Sequence, residues 1–215
     1  MTKTELSILN DVGWVELNHS TKDDELISLA LSIGEIEKHN NGGKIFTLKP
    51  KDGTYSVKGT FSNRYGYGEF PLHTDMAFHT RPVRYMMLSS DMASSSRTSI
   101  LSTSDIFKQL NREDKYNAQR AVYKIKTSER SFFSSLIFTE LGTQGMKYDP
   151  TCMIPANKSA KDIELKLREI FAQVKPEYIE WTKGKILIID NWRALHGRTC
   201  VNQEENRVLK RIYIN

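Results

Sequence analysis

The sequence predicts a mainly β fold, in which an antiparallel double sheet carries helices on one side. Short runs of β-branched, aromatic and aliphatic residues recur along most of the chain, whereas only three segments have helical periodicity. Strand-like and helix-like segments do not alternate, so a parallel α/β arrangement is disfavoured. The 215 residues contain no linker or internal repeat, and we expect a single domain over residues 1–215.

Eight segments are expected to form strands, because β-forming residues concentrate in them and Gly, Asn, Asp and Ser separate them. The segment 185–190, Lys-Ile-Leu-Ile-Ile-Asp, is apolar enough for a strand that is buried within a sheet. The eight segments are 12–17, 44–48, 54–59, 83–89, 121–127, 131–138, 185–190 and 207–214.

The first predicted helix follows the strand at 12–17. Thr21 and Asp24 have the spacing of a capping box, so we expect the helix to begin there. Gly34 is placed to end or interrupt it.

Two further helices are predicted later in the chain. One covers 104–120, with Asn111 as a candidate break point. The other covers 161–174, with a capping box formed by Ser159 and Asp162. Apolar residues line one face of the second helix, which is therefore expected to pack on the core.

The composition is that of an ordinary globular protein, with 39% hydrophobic and 27% charged residues. No run of 18 apolar residues occurs and the N-terminus lacks the pattern of a signal peptide, so we expect a cytoplasmic protein without a membrane partner. Cys152 and Cys200 stand far apart and are expected to be free thiols.

The formal charge of +5 raises the question of a nucleic-acid partner. The stretch 193–211 carries five cationic and two anionic residues, but no aromatic residue interleaves with them between Trp192 and Tyr213. A stacking platform for single strands is therefore missing. Small anions are favoured over nucleic acid as partners of this stretch.

Motifs of several large enzyme classes are absent from the sequence. It contains no GxxxxGK[ST], GxGxxG, GxSxG or HExxH pattern. Nucleotide-binding P-loop, Rossmann, serine-hydrolase and zincin functions therefore lack their usual support.

His73 and Asp75 are the first candidates for a metal site. On an extended strand, side chains two positions apart point to the same face, so both residues can meet one ion. A second histidine would complete a set of two histidines and one carboxylate, which leaves positions open on ferrous iron. His196 follows the buried strand and is preferred over His79, because Pro82 indicates that the first strand ends near His79.

Two arginines follow His196. Arg207 lies 11 residues beyond it and Arg211 four residues further, and positions four apart on a strand share a face. A guanidinium group binds a carboxylate through two parallel hydrogen bonds. The two arginines are therefore candidates for binding a carboxylate near the metal.

Three motifs together resemble the taurine dioxygenase and clavaminate synthase-like group of Fe(II)- and 2-oxoglutarate-dependent oxygenases. They are His-Thr-Asp at 73–75, Asp-Asn-Trp-Arg-Ala-Leu-His-Gly-Arg at 190–198 and Asn-Arg-Val-Leu-Lys-Arg at 206–211. The opening segments 13–17 and 31–34 are similar as well. The resemblance implies a double-stranded β-helix, or jelly roll, with Fe(II), 2-oxoglutarate and O2 as cofactor and cosubstrates.

The resemblance also implies roles for individual residues. His73, Asp75 and His196 would ligate iron and form the catalytic centre, and Arg207 would bind the distal carboxylate of 2-oxoglutarate. Thr98 would assist Arg207. The usual paired glycines of the family are serines here, so the register can shift locally, and Ser96 is then the alternative to Thr98.

The residues that bind the substrate are the least determined part of the predicted site. Arg211 matches an arginine that binds an anionic substrate group in some members of the family and serves the cosubstrate or the fold in others; a surface position is the third alternative. Glu69 and Met76 flank the metal ligands and are candidates for the pocket lining, with Tyr67 and Phe78 as apolar walls.

The resemblance implies an oxygenase that acts on an unactivated carbon of a small, amino-acid-like or anionic metabolite and releases succinate and CO2. Because Asp75 retains a carboxylate ligand, hydroxylation, desaturation or cyclisation is favoured over halogenation. The alternative is a non-catalytic, metal-containing jelly-roll protein that binds or senses a ligand. The presence of the three ligands together with Arg207 and Thr98 argues against that alternative.

Overall fold

The computed structural model describes residues 1–39, 41–56 and 60–215. Within these ranges the chain forms fifteen strands, six α-helices and a 3-10 helix at Gly53–Tyr55. The helices are α1 (Lys3–Val12), α2 (Asp23–Leu31), α3 (Phe61–Tyr65), α4 (Thr103–Lys108), α5 (Arg112–Arg120) and α6 (Lys158–Gln173). The strands are β1 (Trp14–Asn18), β2 (Ile36–Glu37), β3 (Phe46–Leu48), β4 (Phe70–His73), β5 (Tyr85–Ser90), β6 (Ser94–Ser102), β7 (Val122–Lys126), β8 (Ser131–Ser135), β9 (Ile137–Glu140), β10 (Thr143–Met146), β11 (Met153–Pro155), β12 (Glu177–Trp181), β13 (Lys185–Asp190), β14 (Ala194–Arg198) and β15 (Leu209–Ile214).

Two antiparallel sheets form the centre of the fold. The larger has the order β1-β13-β5-β15, and β2 and β3 pair with successive parts of the outer edge of β15. The smaller has the order β12-β6-β14-β4. Leu88 and Leu187 of the larger sheet pack in one buried cluster with Ile100 and Trp181 of the smaller. The predicted mainly β class, an antiparallel double sheet with flanking helices, is confirmed.

Strand β13 is buried on both faces. Leu187 and Ile189 point between the two sheets, whereas Ile186 and Ile188 pack beneath α1 and α2 on the outer face. Because successive side chains of a strand point to opposite faces, both sets must be apolar. This double burial explains the uninterrupted apolar run of the strand.

A second cluster lies outside the double sheet. Helices α4, α5 and α6 cover a small sheet of order β11-β7-β8, beside the β9-β10 hairpin. Tyr123 and Ile125 of β7 pack in this cluster with Ile163, Leu167 and Ile170 of α6. The predicted helix at 161–174 and its buried face are confirmed.

Both predicted capping boxes are wrong, although the two helices exist. Helix α2 begins after Lys22, which makes no side-chain cap bond, and the Thr21 hydroxyl donates to Asp91. Helix α6 is capped by Asn157 and not by Ser159, because Asn157 Oδ1 accepts from the Ala160 backbone N–H.

The sequence analysis did not predict α1. Helix α1 places only Leu9 in the core and leaves most of its other apolar side chains exposed, so its periodicity is weak. Its start nevertheless carries a signal in the sequence. Thr2 and Glu5 form a capping box in which each side chain accepts from the other residue's backbone N–H.

Three segments differ from the predicted elements or refine them. In the predicted strand at 54–59, the described residues belong to the 3-10 helix and its end, and residues 57–59 lie outside the described ranges. The predicted strand at 131–138 divides into β8 and β9 at the buried Leu136. The break near Asn111 is confirmed, because this residue caps α5.

Two further sequence expectations concern the cysteines and membrane insertion. Cys152 is buried, Cys200 is exposed, and both are free thiols, as expected. Among the described helices, none has the length and apolar character needed to cross a bilayer.

Candidate metal centre

Strand pairing brings two histidines together at one end of the smaller sheet. His73 is the last residue of β4 and pairs directly with His196 of β14, and the two ring centroids lie 4.4 Å apart. The Nε2 atoms of His73 and His196 lie 3.4 and 3.8 Å from Oδ1 of Asp75. One ligand atom from each residue lies within 4.8 Å of the other two, so a single ion fits among them.

Asp75 reaches this cluster from a turn, not from a strand. Strand β4 ends at His73, and Met76 has a positive φ of 57°. The expectation that strand geometry alone aligns His73 with Asp75 is therefore wrong. After His73 the chain forms a turn, in which the side chain of Asn191 binds the backbone of Asp75. This turn brings the Asp75 carboxylate to the two imidazoles.

Asn191 is a site residue that the sequence analysis missed. Its Oδ1 accepts from the Asp75 backbone N–H at 2.9 Å, and its Nδ2 donates to the carbonyl oxygens of Asp75 and Val83, both at 3.0 Å. The side chain is fully buried. Its position directly after the buried strand β13 is the only signal of this role in the sequence.

Hydrogen bonding fixes which nitrogen of His73 faces the cluster. Nδ1 lies 2.9 Å from the carbonyl oxygen of Pro71, which can only accept, so Nδ1 carries the hydrogen. Nε2 is then free to act as a ligand. The Phe61 ring stacks on the imidazole at 4.0 Å between centroids and shields it from water. Nδ1 of His196 is buried and has no hydrogen-bond partner among the described residues.

The electrostatics of the cluster favour an ionised Asp75. Burial raises the pKa of this carboxyl group, but the Arg211 guanidinium and hydrogen bonds from His196 and His73 outweigh it and hold the pKa well below its usual value. Burial lowers the pKa of both histidines. For His73 the contacts with Asp75 reverse this effect and raise the pKa, whereas the neighbouring His73 lowers the pKa of His196 further.

These shifts predict how cation binding depends on pH. In the metal-free protein the pKa of His73 lies above its ordinary value of 6.5, so this imidazole keeps its proton to a higher pH. The pKa of His196 lies below 6.5, so His196 loses its proton first as the pH rises. A divalent cation must displace the proton from His73, so its affinity is expected to rise about tenfold per pH unit up to the raised pKa of His73. Calorimetric titration in buffers of different ionisation enthalpy should report release of about one proton near pH 6.5. Release of two protons would contradict this assignment.

The glycine between His196 and Arg198 allows the close approach of β4. A Cβ at Gly197 would lie 2.6 Å from the Phe70 carbonyl oxygen and 2.8 Å from Ser99 Oγ. We expect Gly197→Ala to lower the free energy of unfolding by about 1–3 kcal/mol, as overfilling usually does. It should also weaken cation binding, because β4 must move away from β14.

Urea unfolding and a metal titration test both parts of this prediction. Gly142→Ala is the matched control, since its φ of +75° strains any side chain but its added Cβ meets nothing within 4 Å. It should be destabilised with unchanged cation affinity. Equal cation affinity in both variants would refute the proposed link between Gly197 and the metal centre.

The residues predicted to bind the cosubstrate are Arg207, Thr98 and the alternative Ser96. This arginine is 6% exposed, its Nε is buried without a partner, and it forms no hydrogen bond or ion pair through its side chain with the described residues. Burial lowers its pKa to about 10. Thr98 pairs with Arg198 across β6 and β14, and its Oγ1 accepts from Trp181 Nε1 at 3.0 Å. The hydroxyl of the alternative, Ser96, donates to the Thr199 carbonyl oxygen at 3.1 Å.

Arg198 is a second buried cation that the sequence analysis did not single out. Burial, and then the charge of Arg207, lower its pKa to about 10, so the two guanidinium groups are close enough to repel each other. Arg198 donates to the carbonyl oxygens of Gly66 and Gly68 and lies 3.7 Å from the centre of the Phe70 ring. Two buried cations in one place create a strong preference for an anion.

The remaining predicted residues lie in different surroundings. Arg211 contacts Asp75, with Nη1 3.0 Å from Oδ2. Met76 is half-buried against the core between the two sheets, and Glu69 is exposed. His79, the rival ligand, lies outside the cluster and its Nδ1 is 3.4 Å from Arg130 Nη1. The roles of Glu69, Met76 and Arg211 stay predictions.

Comparison with protein families gives one match. The family model described as "Taurine catabolism dioxygenase TauD, TfdA family" matches residues 167–213, which contain His196, Arg207 and Arg211. No curated protein matches the sequence.

Solved structures resemble the whole chain. An asparagine oxygenase in complex with Fe(II), 3-hydroxyasparagine and succinate is 14% identical with a TM-score of 0.81, over 99% of this chain and 78% of its own. The non-heme iron oxygenase OrfP, in complex with Fe, succinate and (3S)-hydroxy-L-arginine, is 18% identical with a TM-score of 0.73, over 98% of this chain and 77% of its own. PvcB of Pseudomonas aeruginosa is 15% identical with a TM-score of 0.73, over 98% of this chain and 78% of its own.

These likenesses establish the fold. The double-stranded β-helix is confirmed, and the family model gives a resemblance to the taurine dioxygenase group over residues 167–213.

Proposed function

We propose that the chain is an Fe(II)- and 2-oxoglutarate-dependent dioxygenase, an oxidoreductase whose single domain spans residues 1–215. The observation that carries the proposal is the meeting of two imidazole nitrogens and one carboxylate oxygen within 4.8 Å. This donor set suits ferrous iron and occupies three of its six positions. In this proposal His73, Asp75 and His196 ligate the iron.

The residues around Arg207 fit a dicarboxylic cosubstrate. The guanidinium of Arg207 is buried without a side-chain hydrogen bond to the described residues, a costly arrangement unless an anion completes it. A carboxylate of 2-oxoglutarate would accept two hydrogen bonds from it, with Thr98 as a further contact. The alternative of a non-catalytic binding protein offers no reason for such a carboxylate subsite in addition to the metal ligands.

The chemistry is shared between the bound groups and the chain. When bound, iron and 2-oxoglutarate would supply the oxidation: one atom of O2 would leave in succinate, formed together with CO2, and the other would enter the substrate in hydroxylation or leave as water in desaturation or cyclisation. The chain positions the cosubstrate through Arg207 and keeps His73 in the correct tautomer through Pro71. Phe61 excludes water from one side of the centre. The carboxylate of Asp75 favours hydroxylation, desaturation or cyclisation over halogenation.

The proposed substrate is a small, amino-acid-like or anionic metabolite, and not a nucleic acid or a membrane. The bound 3-hydroxyasparagine and (3S)-hydroxy-L-arginine in the similar structures support this class. Glu69 and Met76 are proposed to contribute to the pocket, because they flank the ligands in sequence. Cytoplasmic localisation stays a prediction of the sequence.

An anaerobic titration tests the function. Ferrous iron and then 2-oxoglutarate are added to the metal-free protein, and the weak visible charge-transfer band of a chelated iron complex is recorded. We expect the band in the wild-type protein and its loss in Asp75→Ala. Its absence from wild-type protein with an intact circular dichroism spectrum would overturn the proposal. Its presence would allow a screen for amino acids that accelerate succinate formation.

A further inference from the structure

The two oxygens of the Asp75 carboxylate have different neighbours. Oδ1 faces the imidazoles of His73 and His196, at 3.4 and 3.8 Å. Oδ2 accepts a hydrogen bond from Arg211 Nη1 at 3.0 Å and another from the Tyr213 hydroxyl at 2.9 Å. One oxygen therefore belongs to the metal cluster and the other to a pair of donors on the opposite sheet.

Both donors are fixed by their place in β15. Arg211 and Tyr213 are two positions apart on this strand, so their side chains project to the same face, toward the smaller sheet. The Arg211 guanidinium lies 4.5 Å from the centre of the Tyr213 ring, and the backbone carbonyl of Arg211 is 3.2 Å from Nε2 of the buried His39. Tyr213 itself is packed in the core between the sheets.

Resting on the proposed function, we propose that Arg211 and Tyr213 are positioning residues that hold Oδ2 of Asp75, so that the carboxylate offers the metal Oδ1 alone. A carboxylate that rotated to bind through both oxygens would occupy a further position on the ion. With one oxygen and two nitrogens as ligands, three positions stay open, which is the number that a bidentate 2-oxoacid and O2 require. Outer partners of this kind orient metal ligands and tune their affinity.

This assignment changes the interpretation of Arg211. Its guanidinium is used by Asp75 within the protein, and its Nε is buried without a partner among the described residues. Through Nη1 the arginine therefore acts on the metal ligand.

Cobalt(II) binding to the metal-free protein tests the inference without any turnover. We expect Arg211→Gln to weaken cobalt(II) affinity ~10–100-fold, the usual cost of losing an outer partner of a ligand. Tyr213→Phe keeps the ring and the core packing, and should weaken it about tenfold through loss of one hydrogen bond to a charged oxygen. The visible absorption of bound cobalt(II) should also change in Arg211→Gln, because it depends on the coordination number, and Arg211→Lys should restore part of both effects.

Lys210→Gln is the matched control. Lys210 is adjacent on β15 but forms its ion pairs with Asp23 and Asp91, away from the metal cluster, so affinity and spectrum should be those of the wild type. Unchanged or tighter cobalt(II) binding in both Arg211→Gln and Tyr213→Phe would overturn the inference while leaving the proposed function intact. Failure of the wild-type protein to bind cobalt(II) would overturn the proposed function, and the inference with it.

Discussion

Replacing His196 with alanine is expected to abolish binding of ferrous iron at micromolar concentrations. Structural metal sites with four ligands bind with about 10–16 kcal/mol, so one ligand contributes about 2.5–4 kcal/mol and its loss weakens binding on the order of 100-fold or more. Among the described residues no other imidazole lies in the cluster to replace His196 as a ligand of the proposed centre. His73→Ala is expected to have the same effect. Anaerobic calorimetric titration with Fe(II) measures both.

The matched control for this prediction is His79→Ala. His79 has the same side chain and lies only four residues beyond Asp75, yet it is outside the cluster and contacts Arg130. Its replacement should leave iron affinity unchanged. If His79→Ala lost the iron while His196→Ala kept it, the ligand assignment would be wrong and the cluster would be a structural feature of the metal-free protein.

The sequence predicts the fold well where periodicity reflects burial. Strand β13 is recognisable because both of its faces are buried, and α6 because one face meets the core. Helix α1 escapes the same reasoning, since only Leu9 of its apolar residues is buried and its capping box is the stronger signal. The starts of α2 and α6 differ from the predicted spacing, because α2 has no side-chain cap and α6 is capped by Asn157 instead of Ser159.

The meeting of His73, Asp75 and His196 was also predictable, but the residues that contact Asp75 from other elements were not. His73 and His196 stand out because each accompanies a strand and a neighbouring polar motif. Asn191 and Tyr213 act on Asp75 from 116 and 138 residues away. Such contacts depend on how the two sheets face each other. The spacing of residues in the sequence does not show how the two sheets face each other. The contacts of Asn191 and Tyr213 with Asp75 are therefore seen only in the structure.

Arg207→Gln is expected to weaken 2-oxoglutarate binding ~10²–10³-fold without loss of iron. Each hydrogen bond to a charged group contributes about 1.5–3 kcal/mol, and the guanidinium would donate two of them to one carboxylate. Glutamine retains a donor but removes the charge and the paired geometry. The measurement is an anaerobic titration with 2-oxoglutarate of the iron-loaded protein, followed by the charge-transfer band, with iron affinity determined separately.

The same variant should be no less stable than the wild type, because Arg207 in the protein without cosubstrate is a buried cation. Burial lowers the pKa of Arg207 to about 10, more than the nearby carboxylate of Glu205 offsets, so the charged form is disfavoured in the fold itself; Arg207 in turn lowers the pKa of Arg198. Urea unfolding of the metal-free proteins checks this.

The control for both measurements is Arg193→Gln. Arg193 is a partly exposed arginine of the same C-terminal stretch, and its replacement should leave 2-oxoglutarate affinity unchanged. An Arg207→Gln protein that binds 2-oxoglutarate normally would show that the buried cations serve another anion, and would separate the carboxylate subsite from the iron centre. Loss of stability together with normal binding would assign Arg207 to the fold.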